Sequence, residues 1–218
     1  MLRQSLTAPV SLLSLTTAVP PHLLRQEEAK AVAGRLFGAR AAEFDRLAPV
    51  FDNAGIAKRH LVMPIGWYEE DHGWKDRNAV YLGAAEALYV EAAEKALREA
   101  GVEAADVDVL VTVSTTGIAT PSLEARVAGR MGFRRDAERV PLFGLGCAGG
   151  VTGLAVAARL AAPGKTVLFV TVELCSTSIR LDKLSKANIV ATALFGDGAA
   201  AAALRGGEGG LATVEGAG

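Results

Sequence analysis

The sequence predicts an α/β fold in which a mostly parallel, mixed sheet is covered by helices. From residue 107 onward, short apolar runs alternate with segments of helical periodicity, a pattern typical of strands joined by helical crossovers. These apolar runs lack the polar alternation of a half-exposed strand, so we expect both faces of the sheet to be buried. The 218 residues are 50% hydrophobic and 22% charged, which is an ordinary balance for a globular protein.

The first half of the chain predicts few strands and long helices. Strands are predicted over 10–15 and 58–63. Helices are predicted over 25–37, 42–53 and 77–100. The pair Pro20-Pro21 ends the first strand, and Gly55 and Gly101 follow two of the helices as C-caps. Residues 67–76 are polar and aromatic and match neither the helical nor the strand period.

The second half predicts strands and helices in alternation. Strands are predicted over 107–113, 139–143, 166–172 and 199–204. Helices are predicted over 123–131, 151–162 and 188–194. A glycine-rich turn at 206–210 follows the last predicted strand. The whole chain is therefore interpreted as one α/β domain.

Composition excludes several classes of function. The 23 Lys and Arg residues nearly balance the 24 Asp and Glu residues, which leaves a formal net charge of −1. A charge this small does not favour binding to nucleic acid or to an anionic membrane. No apolar run reaches the roughly 18 residues of a membrane span. Two cysteines and three scattered histidines predict neither a disulfide framework nor a metal site. We expect a protein of the reducing cytoplasm.

The segment 144–150 carries the strongest local signal, Gly-Leu-Gly-Cys-Ala-Gly-Gly, between a predicted strand and a predicted helix. One interpretation is a dinucleotide-binding loop, because the glycines satisfy G-x-G-x-x-G and Glu173 ends the next strand, where a ribose-binding acid belongs. Against it, the loop follows a late strand instead of the first, and Cys147 occupies its centre.

A second interpretation makes Cys147 a nucleophile at the start of a helix. Backbone N–H groups there can stabilise a thiolate, and they can hold the oxyanion formed when the thiolate attacks a thioester carbonyl. The third interpretation is a small buried cysteine that only fills space in a tight turn. The local pattern alone leaves the three open.

Three blocks of sequence add a resemblance. Residues 139–150, Arg-Val-Pro-Leu-Phe-Gly-Leu-Gly-Cys-Ala-Gly-Gly, resemble the nucleophile signature of type III polyketide synthases, the chalcone and stilbene synthase family. Residues 113–121 resemble the Thr-Thr/Ser-Gly loop of that family, and residues 193–201 resemble its Phe-Gly-Asp-Gly strand entry. The blocks keep the family's order and spacing, and the similarity runs from about Val10 to the end of the chain.

The resemblance implies a thiolase-like fold, in which two similar α/β halves form a five-layered homodimer. Residues 1–218 would be the N-terminal domain, with the C-terminal half absent from this chain. Members of the family load an acyl-CoA starter onto a cysteine and extend it with malonyl-CoA by decarboxylative Claisen condensation. They need no acyl-carrier protein, metal or organic cofactor beyond the CoA thioesters.

The resemblance also implies roles for individual residues. Cys147 would be the nucleophile, and Phe195 matches a gatekeeping phenylalanine that helps to orient malonyl for decarboxylation. The histidine and asparagine of the family site lie in the second half, so this chain alone should not catalyse condensation. Arg46 matches one position of a basic cluster that grips CoA phosphates, whereas Pro49 and Asn53 replace two others.

Three small residues predict the starter. Thr115, Ala119 and Cys175 match positions that line a tunnel for long acyl chains in bacterial members that form alkylpyrones and alkylresorcinols. Thr120 stands where plant members carry a methionine that crosses the dimer interface. We therefore expect an aliphatic starter, although Ala119 and Cys175 could simply fill space at the ends of the strands.

Two further interpretations stay open. A β-ketoacyl synthase III-type enzyme also loads a CoA starter on cysteine but extends it on acyl-carrier protein. A non-catalytic half-domain that serves in dimerisation would need a partner, because half of a layered fold leaves an apolar face exposed.

Overall fold

The structure is a computed structural model that describes residues 5–36, 41–179 and 185–216. The strands are β1 (Ser5–Ala18), β2 (His22–Arg25), β3 (Lys58–Leu61), β4 (Val109–Val113), β5 (Glu138–Leu142), β6 (Thr166–Leu174), β7 (Asp197–Gly206) and β8 (Ala212–Gly216). The α-helices are α1 (Gln26–Leu36), α2 (Ala41–Leu47), α3 (Pro49–Asn53), α4 (Trp74–Ala100), α5 (Leu123–Met131), α6 (Gly149–Ala161) and α7 (Lys186–Leu194).

The chain folds into two compact units, a division that the sequence pattern did not indicate. The sheet unit contains the described residues of Met1–Ala18, Ala85–Glu173 and Ala199–Gly218. The helical unit contains the described residues of Val19–Ala84 and Leu174–Gly198. None of the helices within the described ranges is long and apolar enough to cross a membrane.

The sheet unit is built on a six-stranded mixed sheet in the order β5-β4-β6-β7-β1-β8. Strand β4 pairs in parallel with both β5 and β6, whereas β1 pairs antiparallel with both β7 and β8. The α/β class and the mixed sheet that the sequence predicts are confirmed. Strand β8 was not predicted, because its residues follow a glycine-rich turn and find their partner only in β1.

Helices cover both faces of this sheet. Every residue of β4 is buried, and its alternate residues Val109, Val111 and Val113 form one apolar cluster with alanines of α6. On the opposite face, Thr112 lies 3.3 Å from the hydroxyl of Tyr89 in α4. Side chains alternate between the two faces of a strand, so α6 and α4 lie on opposite sides of β4.

Helix α6 approaches the sheet unusually closely because glycines face it. A Cβ atom added at Gly149 would lie 2.6 Å from Val113 Cγ1, and one added at Gly153 would lie 2.6 Å from Phe169 Cε2 and from Val113 Cγ2. The two glycines are four residues apart and therefore occupy one face of the helix. Their lack of a side chain sets the distance between helix and sheet, and with it the position of the turn that precedes α6.

Strand β1 extends beyond the predicted 10–15 at both ends, and two of its polar residues, Ser14 and Thr16, have partners in α4. Ser14 Oγ donates to the carbonyl of Ala96 at 2.7 Å, and Thr16 Oγ1 donates to that of Ala92 at 2.8 Å. Both hydroxyls are buried, and these hydrogen bonds remove most of the cost of burying them. Because serine and threonine are polar, a buried strand that contains them does not appear as a continuous hydrophobic run in the sequence.

The helical unit packs four short helices with the two-stranded antiparallel sheet β2-β3. Its apolar core draws on α1, α2, α3, α7 and the strands. The buried members are Leu24, Ala29, Ala33, Phe44, Phe51, Leu61, Tyr68, Ile189 and Ala193. Strand β2 was not predicted: residues 22–24 follow the Pro20-Pro21 pair without an assignment, and Arg25 was placed at the start of the helix over 25–37, whose last residue, Phe37, lies outside the described residues.

The predicted helix over 42–53 is two helices, and this part of the prediction was wrong. Ala48 keeps a right-handed helical conformation, and its N–H still donates to the carbonyl of Phe44 at 2.7 Å. Pro49 has no N–H to donate to the next carbonyl along, so the hydrogen-bond ladder breaks there and α3 starts anew.

Gly153→Ala should destabilise the protein by about 1–3 kcal/mol, because the new methyl group has no room between α6 and β4. The measurement is urea unfolding of the variant against the unchanged protein. Gly129→Ala is the matched control: Gly129 lies in α5, where an added Cβ meets nothing within 4 Å, so it should gain about 0.5–1 kcal/mol from helix propensity. Equal effects of the two substitutions would contradict the close approach.

Candidate active site

The carboxyl ends of three neighbouring strands meet at one edge of the sheet unit. In the parallel register Val113 of β4 lies opposite Leu142 of β5 and Thr171 of β6. Open α/β sheets bind ligands at this edge. The chain beyond these positions carries Thr115 after β4, Cys147 after β5 and Glu173 near the end of β6.

Cys147 is an exposed free thiol in a tight turn between β5 and α6. The turn, Gly146–Ala148, is a single 3-10 turn, and α6 follows directly from Gly149. Gly144 and Gly146 have φ of 82° and 54°, a left-handed conformation that favours glycine. The turn thus presents the thiol beside the first backbone N–H groups of a helix, where negative charge is stabilised.

Thr115 is tied directly to the Cys147 turn. Its Oγ1 accepts a hydrogen bond from the N–H of Gly146 at 3.3 Å, one residue before the cysteine. Of the residues that the sequence assigns to an acyl tunnel, Thr115 is therefore the one that hydrogen-bonds to the Cys147 turn. Ala119 is half-buried further along the same loop, and its place in a tunnel stays a prediction.

Glu173 holds the Thr115 loop in place. Its two carboxylate oxygens accept from the backbone N–H of Thr115 at 3.0 and 3.1 Å. Glu173, Thr115 and Gly146 thus form a chain of hydrogen bonds that links the ends of β6, β4 and β5. The sequence suggested Glu173 as a ribose-binding acid; in the structure its carboxylate organises the turn instead.

Phe195, Cys175 and Arg46 belong to the helical unit. Phe195 directly follows α7, is 40% exposed and lines an apolar pocket formed by α1, β3 and neighbouring residues. Cys175 is half-buried at the start of a 3-10 turn after β6, and Arg46 is exposed in the last turn of α2. Pro49 and Asn53 are exposed on α3.

A buried polar network in the helical unit was missed by the sequence analysis. Asp197 accepts from the N–H groups of Ser176 and Val62, both at 2.8 Å, and from Ser176 Oγ at 2.5 Å. The Tyr68 hydroxyl lies 2.6 Å from Ser176 Oγ and accepts from the N–H of Met63 at 3.3 Å. Since Ser176 Oγ donates to Asp197, Tyr68 donates to Ser176. The only sequence signal was the Phe-Gly-Asp-Gly block, which contains Asp197.

Burial shifts the ionisation of both ends of this network. Loss of hydration raises the pKa of Asp197 above its ordinary value, against the stabilising hydrogen bonds from Ser176 and Val62. Burial likewise raises the pKa of Tyr68 to about 12. The phenol therefore stays protonated and able to donate at any physiological pH.

Comparison with known proteins identifies the family. Residues 2–208 match the family model for the N-terminal domain of chalcone and stilbene synthases. The chain belongs to the chalcone and stilbene synthase family. It is 44% identical over 202 residues to 1,3,6,8-tetrahydroxynaphthalene synthase of Streptomyces peucetius subsp. caesius, a match that covers 92% of this chain and 53% of that protein. It is 36% identical to a putative chalcone synthase of Bacillus subtilis (strain 168), over 89% of this chain and 55% of that protein.

The structural comparison agrees with the family. The crystal structure of 1,3,6,8-tetrahydroxynaphthalene synthase from Streptomyces coelicolor A3(2), a bacterial type III polyketide synthase, superposes with a TM-score of 0.84 at 33% sequence identity. The superposition covers 92% of this chain and 57% of the chain in that crystal structure. The chain therefore has the thiolase-like fold of the family and spans about half the length of the relatives it matches.

These findings bear on the three interpretations of the glycine loop. The resemblance to the chalcone and stilbene synthase family is confirmed. A cysteine that only fills core space is wrong, since Cys147 is exposed. The dinucleotide-binding interpretation relied on Glu173 as the ribose-binding acid, but the Glu173 carboxylate accepts hydrogen bonds from the Thr115 backbone N–H instead. The nucleophile is the interpretation that family and geometry both favour.

Tyr68→Phe should lower stability at pH 8 by about 1–2 kcal/mol, because the Met63 N–H loses its acceptor and the Ser176 hydroxyl loses a donor. The pKa of about 12 in the folded protein lies above the ordinary tyrosine pKa of 10.0, so the tyrosine's contribution is complete below pH 10 and is lost as the pH rises towards 12. Urea unfolding of both proteins at pH 8 and pH 11 should therefore show the difference shrinking at the higher pH. A difference that does not change with pH would contradict the raised pKa.

Proposed function

We propose that this chain is the nucleophile-bearing half of a type III polyketide synthase. The observation that carries the proposal is the exposed Cys147 thiol at the start of α6, in a turn held by Thr115. Residues 1–218 form its N-terminal thiolase-like domain. A C-terminal half supplies the histidine and asparagine that complete the site, so the chain by itself does not condense.

The reaction follows from the chemistry of a thiolate. Cys147 Sγ attacks the thioester carbonyl carbon of an acyl-CoA starter, the carbon–sulfur bond to CoA breaks, and the CoA thiol leaves after protonation. Malonyl-CoA then loses its carboxylate as CO2, and the electron pair of the broken carbon–carbon bond remains as an enolate. The enolate carbon attacks the Cys147 thioester, and Sγ leaves as the thiolate, ready for the next acyl group.

The remaining site residues act on binding and orientation. The Phe195 ring offers an apolar surface to the malonyl carboxylate, which disfavours the charged group relative to neutral CO2. Exposed Arg46 contacts CoA phosphate, a charge-assisted contact that suits a guanidinium. Thr115, Ala119 and Cys175 line the acyl channel. The CoA thioesters are substrates, and the chemistry needs no further cofactor.

The working protein is a homodimer of the cytoplasm. Large apolar side chains of the sheet unit are exposed: Ile118 by 52%, Phe143 by 66% and Val151 by 75%. Exposed apolar groups of this size favour a partner surface. A reducing compartment keeps Cys147 a free thiol, which it must be to act as nucleophile.

Cys147→Ala should abolish acyl loading, because it removes the atom that forms the thioester. The test incubates the complete protein that carries this chain with a medium-chain acyl-CoA, detects the acyl adduct by intact-protein mass spectrometry and maps it to a peptide. The expected adduct is on Cys147 and is absent in the variant. An adduct on Cys175, or none on the unchanged protein, would overturn the proposal and favour a non-catalytic module. Extension only with malonyl on acyl-carrier protein would instead indicate a β-ketoacyl synthase III-type enzyme.

The small residues at positions 115, 119 and 175 predict an aliphatic starter and an alkylpyrone or alkylresorcinol product. In a competition, medium-chain acyl-CoA should load on Cys147 faster than phenylpropanoid-CoA, since a narrow apolar channel admits a flexible chain more readily than a ring. Faster aromatic loading would contradict this. So would a naphthalene product without an alkyl chain, the type of product named for the relative from S. peucetius.

A further inference from the structure

Arg59 is a buried cation in the helical unit, on β3. Its side chain is 6% exposed, and no carboxylate of the described residues forms an ion pair with it. Burial lowers the pKa of Arg59 from its usual value. A buried charge without a counter-charge is costly, so something in its surroundings must compensate.

The compensation comes from the carboxyl end of α7. Arg59 Nη1 donates to the carbonyl of Thr192 at 2.5 Å and to that of Phe195 at 3.1 Å, and Nη2 donates to that of Ala193 at 2.7 Å. The last carbonyls of a helix have no partner inside the helix and carry the negative end of its dipole. One guanidinium therefore satisfies two of these oxygens, those of Thr192 and Ala193, and also the carbonyl of Phe195 just beyond the helix.

Gln26, the first residue of α1, braces the guanidinium. Its Oε1 accepts from Arg59 Nη2, and its Nε2 donates to the carbonyls of Ala193 at 3.0 Å and Phe51 at 2.9 Å. Gln26 is itself buried. The Gln26 amide thereby restricts the orientation of the Arg59 guanidinium and links it to α3 as well as to α7.

The residues after Phe195 are anchored to β3 and to the residue that follows it, Val62. A Cβ atom added at Gly196 would lie 3.1 Å from Arg59 Cβ, so the chain passes β3 at a distance that suits glycine. One residue later, Asp197 Oδ2 accepts from the N–H of Val62 at 2.8 Å. The backbone is thus held at the Phe195 carbonyl on one side and at the Asp197 carboxylate on the other.

Phe195 is 40% exposed, so its orientation depends more on this backbone than on packing around the ring. Arg59 Nε is buried without a hydrogen-bond partner, which indicates that the side chain is oriented so that its two Nη groups reach the end of α7 while the Nε–H makes no hydrogen bond. A lysine could not replace it, because an ammonium lacks the planar spread of donors that reaches three carbonyls at once.

We propose that Arg59, braced by Gln26, is a positioning residue that fixes the backbone at Phe195 and so orients the aromatic ring for malonyl decarboxylation. This inference rests on the proposed function. Arg59 lies outside the loop that carries Cys147, yet it controls the extension step. The loading step on Cys147 does not depend on Arg59.

The test replaces Arg59 by Lys in the complete protein and measures two rates separately: acylation of Cys147 and CO2 release from malonyl-CoA. Arg59→Lys should slow CO2 release by about tenfold, because small displacements of an orienting group are costly, and should leave acylation within about twofold. Lys58→Met is the control, since Lys58 is an exposed neighbour on β3, and it should change neither rate. Equal losses in both rates of Arg59→Lys would overturn the proposal, since a general loss of folded protein produces that result.

A double-mutant cycle isolates the role of the ring. The Phe195→Ala variant has no ring to orient. Adding Arg59→Lys to it should therefore slow CO2 release by at most about a further twofold. A full tenfold further loss would overturn the proposal.

Hydrogen exchange keeps the inference distinct from the proposed function. Arg59→Lys should reduce protection of the backbone amides at positions 195–197, and Lys58→Met should not. If the unchanged protein neither loads acyl groups nor decarboxylates malonyl-CoA, the proposed function fails and the role in decarboxylation fails with it, while loss of protection would retain Arg59 as the anchor of Phe195. Unchanged protection in Arg59→Lys would overturn the positioning role whatever the activity.

Discussion

The close contact between α6 and β4 is the constraint on which the candidate site depends. Gly149 and Gly153 present bare backbone to Val113 and Phe169, so the helix sits deeper against the sheet than any side chain would allow. The first turn of α6 is thereby fixed relative to the ends of the parallel strands. Because Cys147 immediately precedes that turn, packing in the core places the thiol at the edge of the sheet where ligands bind.

Hydrogen bonds then refine what packing has placed. Glu173 holds the Thr115 backbone, and the Thr115 hydroxyl holds Gly146, so residues from three strand ends are joined next to the thiol. These contacts are local, polar and directional, whereas the helix contact is apolar and steric. The first kind sets the orientation of the Cys147 turn and the second sets its position, and a nucleophile of the kind proposed for Cys147 needs both.

In the helical unit, too, apolar packing sets the position of Phe195 and hydrogen bonds set the orientation of its backbone. Its apolar core packs α1, α2, α3 and α7 together, and β3 then fixes the chain that leaves α7 through Arg59 and the Val62 amide. The buried network of Asp197, Ser176 and Tyr68 extends this anchoring. Burial is the largest cause of both raised pKa values, and the nearby charge of Asp197 raises the pKa of Tyr68 further.

Hydrophobic periodicity and motif spacing by themselves determined the α/β class, most helix and strand positions and the family, because the buried strands are continuous apolar runs and Cys147 stands in a distinctive glycine loop. Tertiary structure alone decided the rest. Strands β2 and β8 depend on partners distant in sequence, and the bond from Glu173 to the Thr115 amide could not be predicted because Thr115 follows a different strand, β4. Arg59 carried no sequence signal, since a guanidinium that caps a helix is recognisable only when the carbonyls it faces have been brought to it by the fold.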